Sequence, residues 1–373
     1  MLLTDSVHLV QGRRLGLLSN QTGVDRQGRR DVDVLRAHGL QLLALFSPEH
    51  GFQGKEDRPG LPDATDSATG LPIYSLYGGS EAKADSALET IDVLLIDLQD
   101  IGARYYTYPA SATSLMRDAT RLGKPVIVLD RPNPLGGVVV QGNPHWPIAD
   151  PDTAFVGFLP VPMRHGMTLG ELLRLANDAL DIHARLTVIP AAGWRRVMTY
   201  DSTGLPWVKP SPNMPDLESA FHYPGTCLFE GTNLSVGRGT SFAFQAVGAP
   251  WVNAEELRRA VGSAAGVAID TITFTPSHPT DGKYDGVAVH GVRLRVTDRR
   301  TYDPTRLAVR ILLALHHRFS RQFEFHEQQF DRLAGGKFLR QLISQGRPES
   351  VVEVHWGDGL DQFRRRRAKY LLY

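Results

Sequence analysis

The chain has a single cysteine, Cys227, among 373 residues, so no internal disulfide can form and folding needs no oxidising compartment. Cys227 lies in an apolar stretch and reads as a small buried hydrophobe rather than a nucleophile. Long hydrophobic runs are also missing: no apolar stretch reaches the roughly 18 residues that span a bilayer. Residues 1–14 lack the charged start and apolar centre of a signal peptide, so the chain as written reads as cytoplasmic. A leader removed beforehand would make it secreted or periplasmic. No charge sign dominates, with 41 Lys and Arg against 40 Asp and Glu and a net charge of +1. Without a basic stripe, nucleic acid is excluded as a partner. The one basic run, Arg364 to Arg367, reads as the solvated face of a short C-terminal helix.

What is present is enough apolar material for a sizeable core, 42% of the residues, in a length that suggests about two domains. Residues 15–18, 42–46, 93–97, 126–129 and 186–189 are short, nearly continuous apolar runs, the pattern of strands buried on both faces. Helical patterns at 32–38, 111–122 and 168–180 lie between them, the last opened by Thr168 and Glu171 in a capping-box spacing. Strand–helix–strand alternation implies a parallel sheet with helices on both faces. After a loop zone at 194–239 the pattern changes. Helices are predicted at 253–261, 304–317, 337–344 and 360–369, and strands at 272–275 and 287–296, which makes a smaller α+β unit. The expected division is 1–221 and 222–373.

In open α/β sheets ligands bind beyond the carboxyl ends of the strands. Four successive strand ends here carry polar loops: Ser19-Asn20-Gln21-Thr22-Gly23, Pro48-Glu49-His50-Gly51-Phe52, the stretch from Gln99 and Asp100 through Arg104 to Tyr108, and Asp130-Arg131-Pro132-Asn133. Several chemistries are absent. There is no G-x-G-x-x-G after the first strand, no P-loop and no G-x-S-x-G elbow. His50, His145, His165 and His222 are scattered without metal-ligand spacing, so neither metal nor organic cofactor is expected. What remains is carboxylates, amides, arginines and aromatics, the equipment of a carbohydrate site.

Glu49 is the leading acid, placed beside a glycine turn and bulky rings, a setting suited to proton donation. The plainer alternative is a loop glutamate paired to Arg58. Glu230 and Arg238 flank glycines that imply close backbone approach; they either pair with each other structurally or face the first domain across a cleft. Arg104 and Arg131 either pair with Asp97, Asp100 or Asp130, or grip a substrate carboxylate in a fork. His165 precedes a helix start, where a structural hydrogen bond is its default role.

These segments, in this order, resemble the exo-β-N-acetylmuramidases of the NamZ type. The match continues through Arg164-His165-Gly166-Met167-Thr168, Ser211-Pro212-Asn213-Met214-Pro215, Phe229-Glu230-Gly231-Thr232-Asn233 and the terminal Tyr370-Leu371-Leu372-Tyr373. The resemblance implies a Rossmann-like N-terminal domain, a smaller C-terminal domain and an active-site cleft between them. It implies release of terminal N-acetylmuramic acid from the non-reducing end of peptidoglycan fragments, in cell-wall turnover or recycling, with Glu49 as the favoured catalytic residue. On that reading Asp100 or Glu230 is the base, nucleophile or stabiliser, unless the substrate's own acetamido group is the nucleophile. Asn20, His50, Gln99, Tyr106, Asn133, His165, Asn213 and Arg238 are expected to bind sugar, and Arg104 or Arg131 the lactyl carboxylate. The rival readings are a muramyl-sugar-binding protein without turnover and a metal-dependent deacetylase or amidase.

Overall fold

The computed structural model describes residues 1–58, 60–77, 81–144 and 155–373. His145 lies outside the described residues. The first unit is a seven-stranded sheet of β1 (Arg14–Ser19), β2 (Gln41–Ser47), β3 (Ala64–Thr65), β4 (Pro72–Ser75), β5 (Val93–Asp97), β6 (Val126–Leu129) and β7 (Leu186–Ile189), in the order β3-β4-β2-β1-β5-β6-β7. All pairings are parallel except β3 with β4 at one edge. The chain builds outward from β1 through β2 and β4, then returns to β1's other side with β5. The topological switch point therefore lies between β1 and β5.

Four of the continuous apolar strands, β1, β2, β5 and β6, are buried on both faces; β7, at the sheet edge, is not, with Thr187 exposed and Leu186 and Val188 half-buried. Leu15 and Leu17 of β1 pack with Leu42, Leu45, Val93 and Leu95 on one side, while Leu18 packs with Phe46, Leu94 and Ile96 on the other. Each such side chain contributes about 1.5–3 kcal/mol by leaving water. Helices α1 (Asp31–Ala37), α2 (Glu81–Thr90), α3 (Tyr108–Arg121) and α4 (Leu169–Ala179) supply the connections. The capping box at α4 is complete: Thr168 accepts from the Glu171 N–H and the Glu171 carboxylate accepts from the Thr168 N–H.

The second unit contains α5 (Leu217–Thr226), β8 (Ala246–Ala249), α6 (Ala254–Val261), β9 (Val267–Phe274), β10 (Val289–Val296), α7 (Pro304–Arg318), α8 (Glu327–Ala334), α9 (Phe338–Ser344) and α10 (Glu349–Arg367). Its sheet is antiparallel, in the order β8-β10-β9. α6 contacts β9 and β10 and packs on α7. The expected division at 221 falls inside α5.

The units are tied together at several points. The Arg104 guanidinium, buried in the first unit, donates to Leu333 O at the end of α8 (3.2 Å), and Asn143 Nδ2 donates to Ala334 O (2.8 Å). In return, the chain's C-terminus packs on the first unit. The basic run is here only half what its composition implied. Arg364 pairs with Asp361 on the surface, but Arg367 is buried and donates to the carbonyls of Gly137, Val138, His165 and Gly166, while Arg366 donates to Pro160 O. Burial pulls the Arg367 guanidinium down to about 10. Carbonyls turned outward by loop glycines are the reason: they need donors, and an arginine fork supplies several. Beyond α10, the Tyr373 hydroxyl donates to Asp130 Oδ2 (2.8 Å) and accepts from Ala191 N (2.7 Å). Among the described residues no helix is long and apolar enough to cross a membrane.

Candidate active site

Glu49 follows β2 in a tight turn closed by Gly51 N to Pro48 O (3.1 Å), with His50 and Gly51 both at positive φ, +70° and +72°. A histidine at such an angle is uncommon, because its Cβ crowds the backbone. Here it turns the Glu49 side chain toward α3, where Thr107 Oγ1 donates to Glu49 Oε2 at 2.6 Å. Thr107 occupies the N-cap position of α3 but makes no capping bond with its side chain. The hydroxyl that would ordinarily cap the helix holds the glutamate instead. The Tyr77 phenol feels the same carboxylate; burial, and then the charges of Glu49 and Asp57, push it up to about 12.

Glu230 approaches from the second unit, on the 3-10 turn Cys227–Gly231 that ends α5. Its Oε1 accepts from Arg238 Nε at 2.6 Å, and the Cys227 thiol lies 3.5 Å from Oε2. The turn is fixed from both sides. A Cβ on Gly231 would lie 2.5 Å from Phe330 Cα in α8, so only glycine fits there. Lys283 Nζ donates to the carbonyls of Glu230, Thr232 and Leu234 at 3.1, 2.7 and 3.1 Å. Arg238 also donates to Asp57 Oδ2 (3.2 Å) and Thr280 Oγ1 (3.1 Å) and lies over the Phe244 ring. Burial works against its charge, but Glu230 and Asp57 outweigh burial and raise the guanidinium above its ordinary value.

Glu49, His50, Asp57, Tyr106, Asn213, Glu230 and Arg238 all line one cavity of about 150 Å³. Its apolar wall is a chain of edge-to-face rings, Tyr105 and Tyr106 against Tyr223, and Tyr223 against Phe244. The strand ends that feed it are those of β2 and β5, which flank β1 at the switch point. Two roomier cavities lie at the same end of the sheet. One, of about 530 Å³, borders the loop after Glu49 and includes Asn20 and His50; the other, of about 370 Å³, sits over β5, β6 and β7 with Asp97, Arg131 and Trp194. Neither combines carboxylates from both units with an arginine and aromatic faces, so the smaller cavity is the chemically equipped one.

Other expected site residues lie elsewhere. Arg104 does not line the cavity: it donates to Asn143 O (2.7 Å), Val161 O (3.1 Å) and Leu333 O, and burial pulls it down to about 10. Arg131 forks onto Asp97 in the cavity over β5–β7 and reaches Val24 O (3.2 Å). Beneath it, burial and the charge of Asp97 raise Asp31 well above the usual carboxylate range, with Ser19 donating to it at 2.6 Å. Asp100 is buried and does not line the cavity, accepting from Gly102 N (2.8 Å) with His165 Nε2 at 3.5 Å. His165 Nδ1 accepts from Met167 N (3.1 Å), the structural bond expected of it. Gln99 donates to the carbonyls of Asp100 and Pro132, Asn133 to Met167 O, and Asn20 accepts from Thr22. These amides hold the strand-end loops together. Arg58, the alternative partner of Glu49, pairs with Glu56 (3.0 Å).

Sequence reasoning missed Asp57, Tyr77, Thr107, Tyr223 and Thr280. Thr107 alone carried a signal, as the residue before a helix. Asp57 sits in Lys55-Glu56-Asp57-Arg58, which has the look of a solvated charge run. Among the described residues no group of three His, Cys, Asp or Glu side chains is arranged to hold a metal ion.

A mostly parallel sheet, a smaller antiparallel unit and an acid-lined cavity between them define a two-domain α/β protein with its cleft at the switch point. Residues 15–218 match the N-terminal domain of exo-beta-N-acetylmuramidase NamZ and residues 221–373 its C-terminal domain, and the chain belongs to this family. The peptidoglycan beta-N-acetylmuramidase NamZ of Bacillus subtilis (strain 168) is 40% identical over 378 residues, covering 100% of this chain and 90% of that protein. Two crystal structures of DUF1343 family proteins from Bacteroides fragilis NCTC 9343 are similar. One has a TM-score of 0.88 at 31% identity, covering 100% of this chain and 97% of that one; the other has 0.75 at 30%, covering 98% and 95%.

Proposed function

We propose that this chain is a glycoside hydrolase that releases N-acetylmuramic acid from the non-reducing ends of peptidoglycan fragments, with Glu49 as general acid and Glu230 as the second carboxylate. The observation that carries the assignment is the meeting of these two glutamates, one from each unit, in one aromatic-walled cavity. Glycosidic cleavage needs one carboxyl group to protonate the leaving oxygen and a second to activate water, form a glycosyl intermediate or steady the positive charge that develops on the sugar ring. Thr107 fixes the Glu49 carboxyl through a donated hydrogen bond at the cavity wall. Arg238 holds the Glu230 carboxylate in place through a charge-assisted hydrogen bond, as the second role requires. The ring edges of Tyr105, Tyr106 and Tyr223 offer apolar faces for the sugar. Asp100 does not line the cavity, which favours Glu230 over it as the second carboxylate.

The test is to incubate the protein with the disaccharide of N-acetylmuramic acid linked to N-acetylglucosamine and analyse the products by mass spectrometry. The expected result is both free monosaccharides. Intact disaccharide, under conditions where binding is detected, contradicts the proposal and favours a sugar-binding protein.

A further inference from the structure

We propose that Arg238 and Asn213, both braced by Thr280, form a receptor for the substrate's carboxylate, and that in the free protein the Asp57 side chain occupies it. The inference rests on the muramidase reading of the same cavity and assigns the group that tells a muramyl sugar from a glucosaminyl one. Its starting point is a mismatch of size. The cavity measures about 150 Å³, whereas sites for small ligands run to about 300–1,000 Å³. Part of the wall has to move aside for a sugar with acetamido and lactyl substituents.

Asp57 is the wall residue whose departure is chemically balanced. Its Oδ2 accepts from Asn213 Nδ2 at 2.7 Å and from Arg238 Nη1 at 3.2 Å. Both donors also reach Thr280 Oγ1, at 3.2 and 3.1 Å. Asn213 precedes α5 and Arg238 follows the Glu230 turn, so two separate segments converge on one carboxylate, while a third, between β9 and β10, braces both donors through Thr280 Oγ1. Asp57 itself belongs to the loop between β2 and β3. Its own N–H and C=O make no hydrogen bond among the described residues. The nearby backbone contacts, Gly54 N to Gly51 O and Glu56 N to His50 O, stay within the loop. The side chain is thus what ties this stretch to the second unit. The stretch also separates the small cavity from the adjoining one of about 530 Å³, the two sharing His50, so withdrawal of Asp57 joins them.

Exchange of Asp57 for a lactyl carboxylate replaces one negative charge with another. Arg238 keeps its bond to Glu230 throughout, and the displaced Asp57 carboxylate, which also lies 3.5 Å from His50 Nδ1, turns to solvent. A glucosaminide lacks the carboxylate. To enter, it has to leave the Asn213 and Arg238 donors short of the carboxylate acceptor they share in a half-buried site, the kind of unmade contact that gives strong discrimination.

The experiment is calorimetric titration of N-acetylmuramic acid and N-acetylglucosamine into the wild-type protein and into Asp57→Ala and Asn213→Ala, with thermal melts to confirm folding. Asp57→Ala removes the competitor, so N-acetylmuramic acid is expected to bind about tenfold more tightly, the scale of one hydrogen bond to a charged group. N-acetylglucosamine should change far less. Asn213→Ala should weaken N-acetylmuramic acid by a similar factor. If Asp57→Ala does not fold, Asp57→Asn removes the charge while keeping the shape, and a smaller gain in the same direction is expected. Unchanged or weaker binding of N-acetylmuramic acid to the Asp57 variants overturns the receptor, as does an equal gain for both sugars or a wild-type protein that binds neither. Wild-type protein that binds N-acetylmuramic acid but cleaves no disaccharide would overturn the hydrolase reading and leave the receptor standing.

Discussion

Asp130 offers a test of the packing that joins the C-terminus to the first unit. Its carboxylate is buried at the end of β6, accepting from Gly170 N (2.9 Å) and from the Tyr373 hydroxyl (2.8 Å). Burial outweighs these bonds and pushes Asp130 from 3.8 up to about 6. The folded state therefore holds a proton that the unfolded chain has already lost, and stability falls as pH rises from about 4 to about 6. A shift of about two units corresponds to at most roughly 3 kcal/mol. Asp130→Asn removes the titration from both states. Urea unfolding of both proteins at pH 3.5 and pH 7 gives the stability difference, variant minus wild type, at each pH. That difference should become more favourable to the variant by roughly 2–3 kcal/mol at the higher pH. Bonds lost on substitution shift both values equally and drop out of the comparison. A difference that is the same at both pH values would refute the assignment of Asp130 as a carboxylate destabilised by burial.

Two further substitutions probe the frame of the cleft. Gly231→Ala sets a methyl against the Phe330 backbone of α8; it should cost about 1–3 kcal/mol in denaturant unfolding and, by shifting Glu230, lower kcat with little change in KM. Arg104→Met strands carbonyls of both units at about 1–3 kcal/mol each, so it should lower stability while leaving the ratio of muramoside to glucosaminide cleavage unchanged; a selective loss on the muramoside would restore Arg104 as a substrate contact.

Much of this frame is visible in the sequence because burial on both faces leaves a strong trace. Five strands of the parallel sheet are continuous apolar runs, four of them buried on both faces, and α4 is announced by Thr168 and Glu171. The elements that escape detection lack such a trace. β3 is two exposed residues, β4 begins with Pro72, β8 is four small or β-branched residues, and α5 carries Pro224 and Gly225 within it. The same contrast applies to the site. Glu49 and Glu230 stand out because glycines and rings surround them. Arg104 and Arg131 are just as conspicuous on strand-end loops, but a sequence does not reveal which carbonyls or carboxylates will face a guanidinium. Here Arg104 meets the end of α8 and Arg131 meets Asp97, leaving the cavity to Arg238. Asp57 was hidden for the opposite reason: its partners, Asn213 and Arg238, are more than 150 residues away along the chain, with separations of 156 and 181.

The most direct test of the central claim is the turnover of Glu49→Gln on two muramosides that differ only in leaving group. Glutamine keeps the side chain's size and its capacity to bond Thr107 but has no proton to give. With N-acetylglucosamine as the leaving group, kcat should fall by roughly 10²–10⁴ while the melting curve stays unchanged. With an activated phenol, which departs without protonation, much of the rate should return. Near-normal turnover of the disaccharide by the variant, or an equal loss on both substrates, would contradict the role of Glu49 as the acid of this cleft.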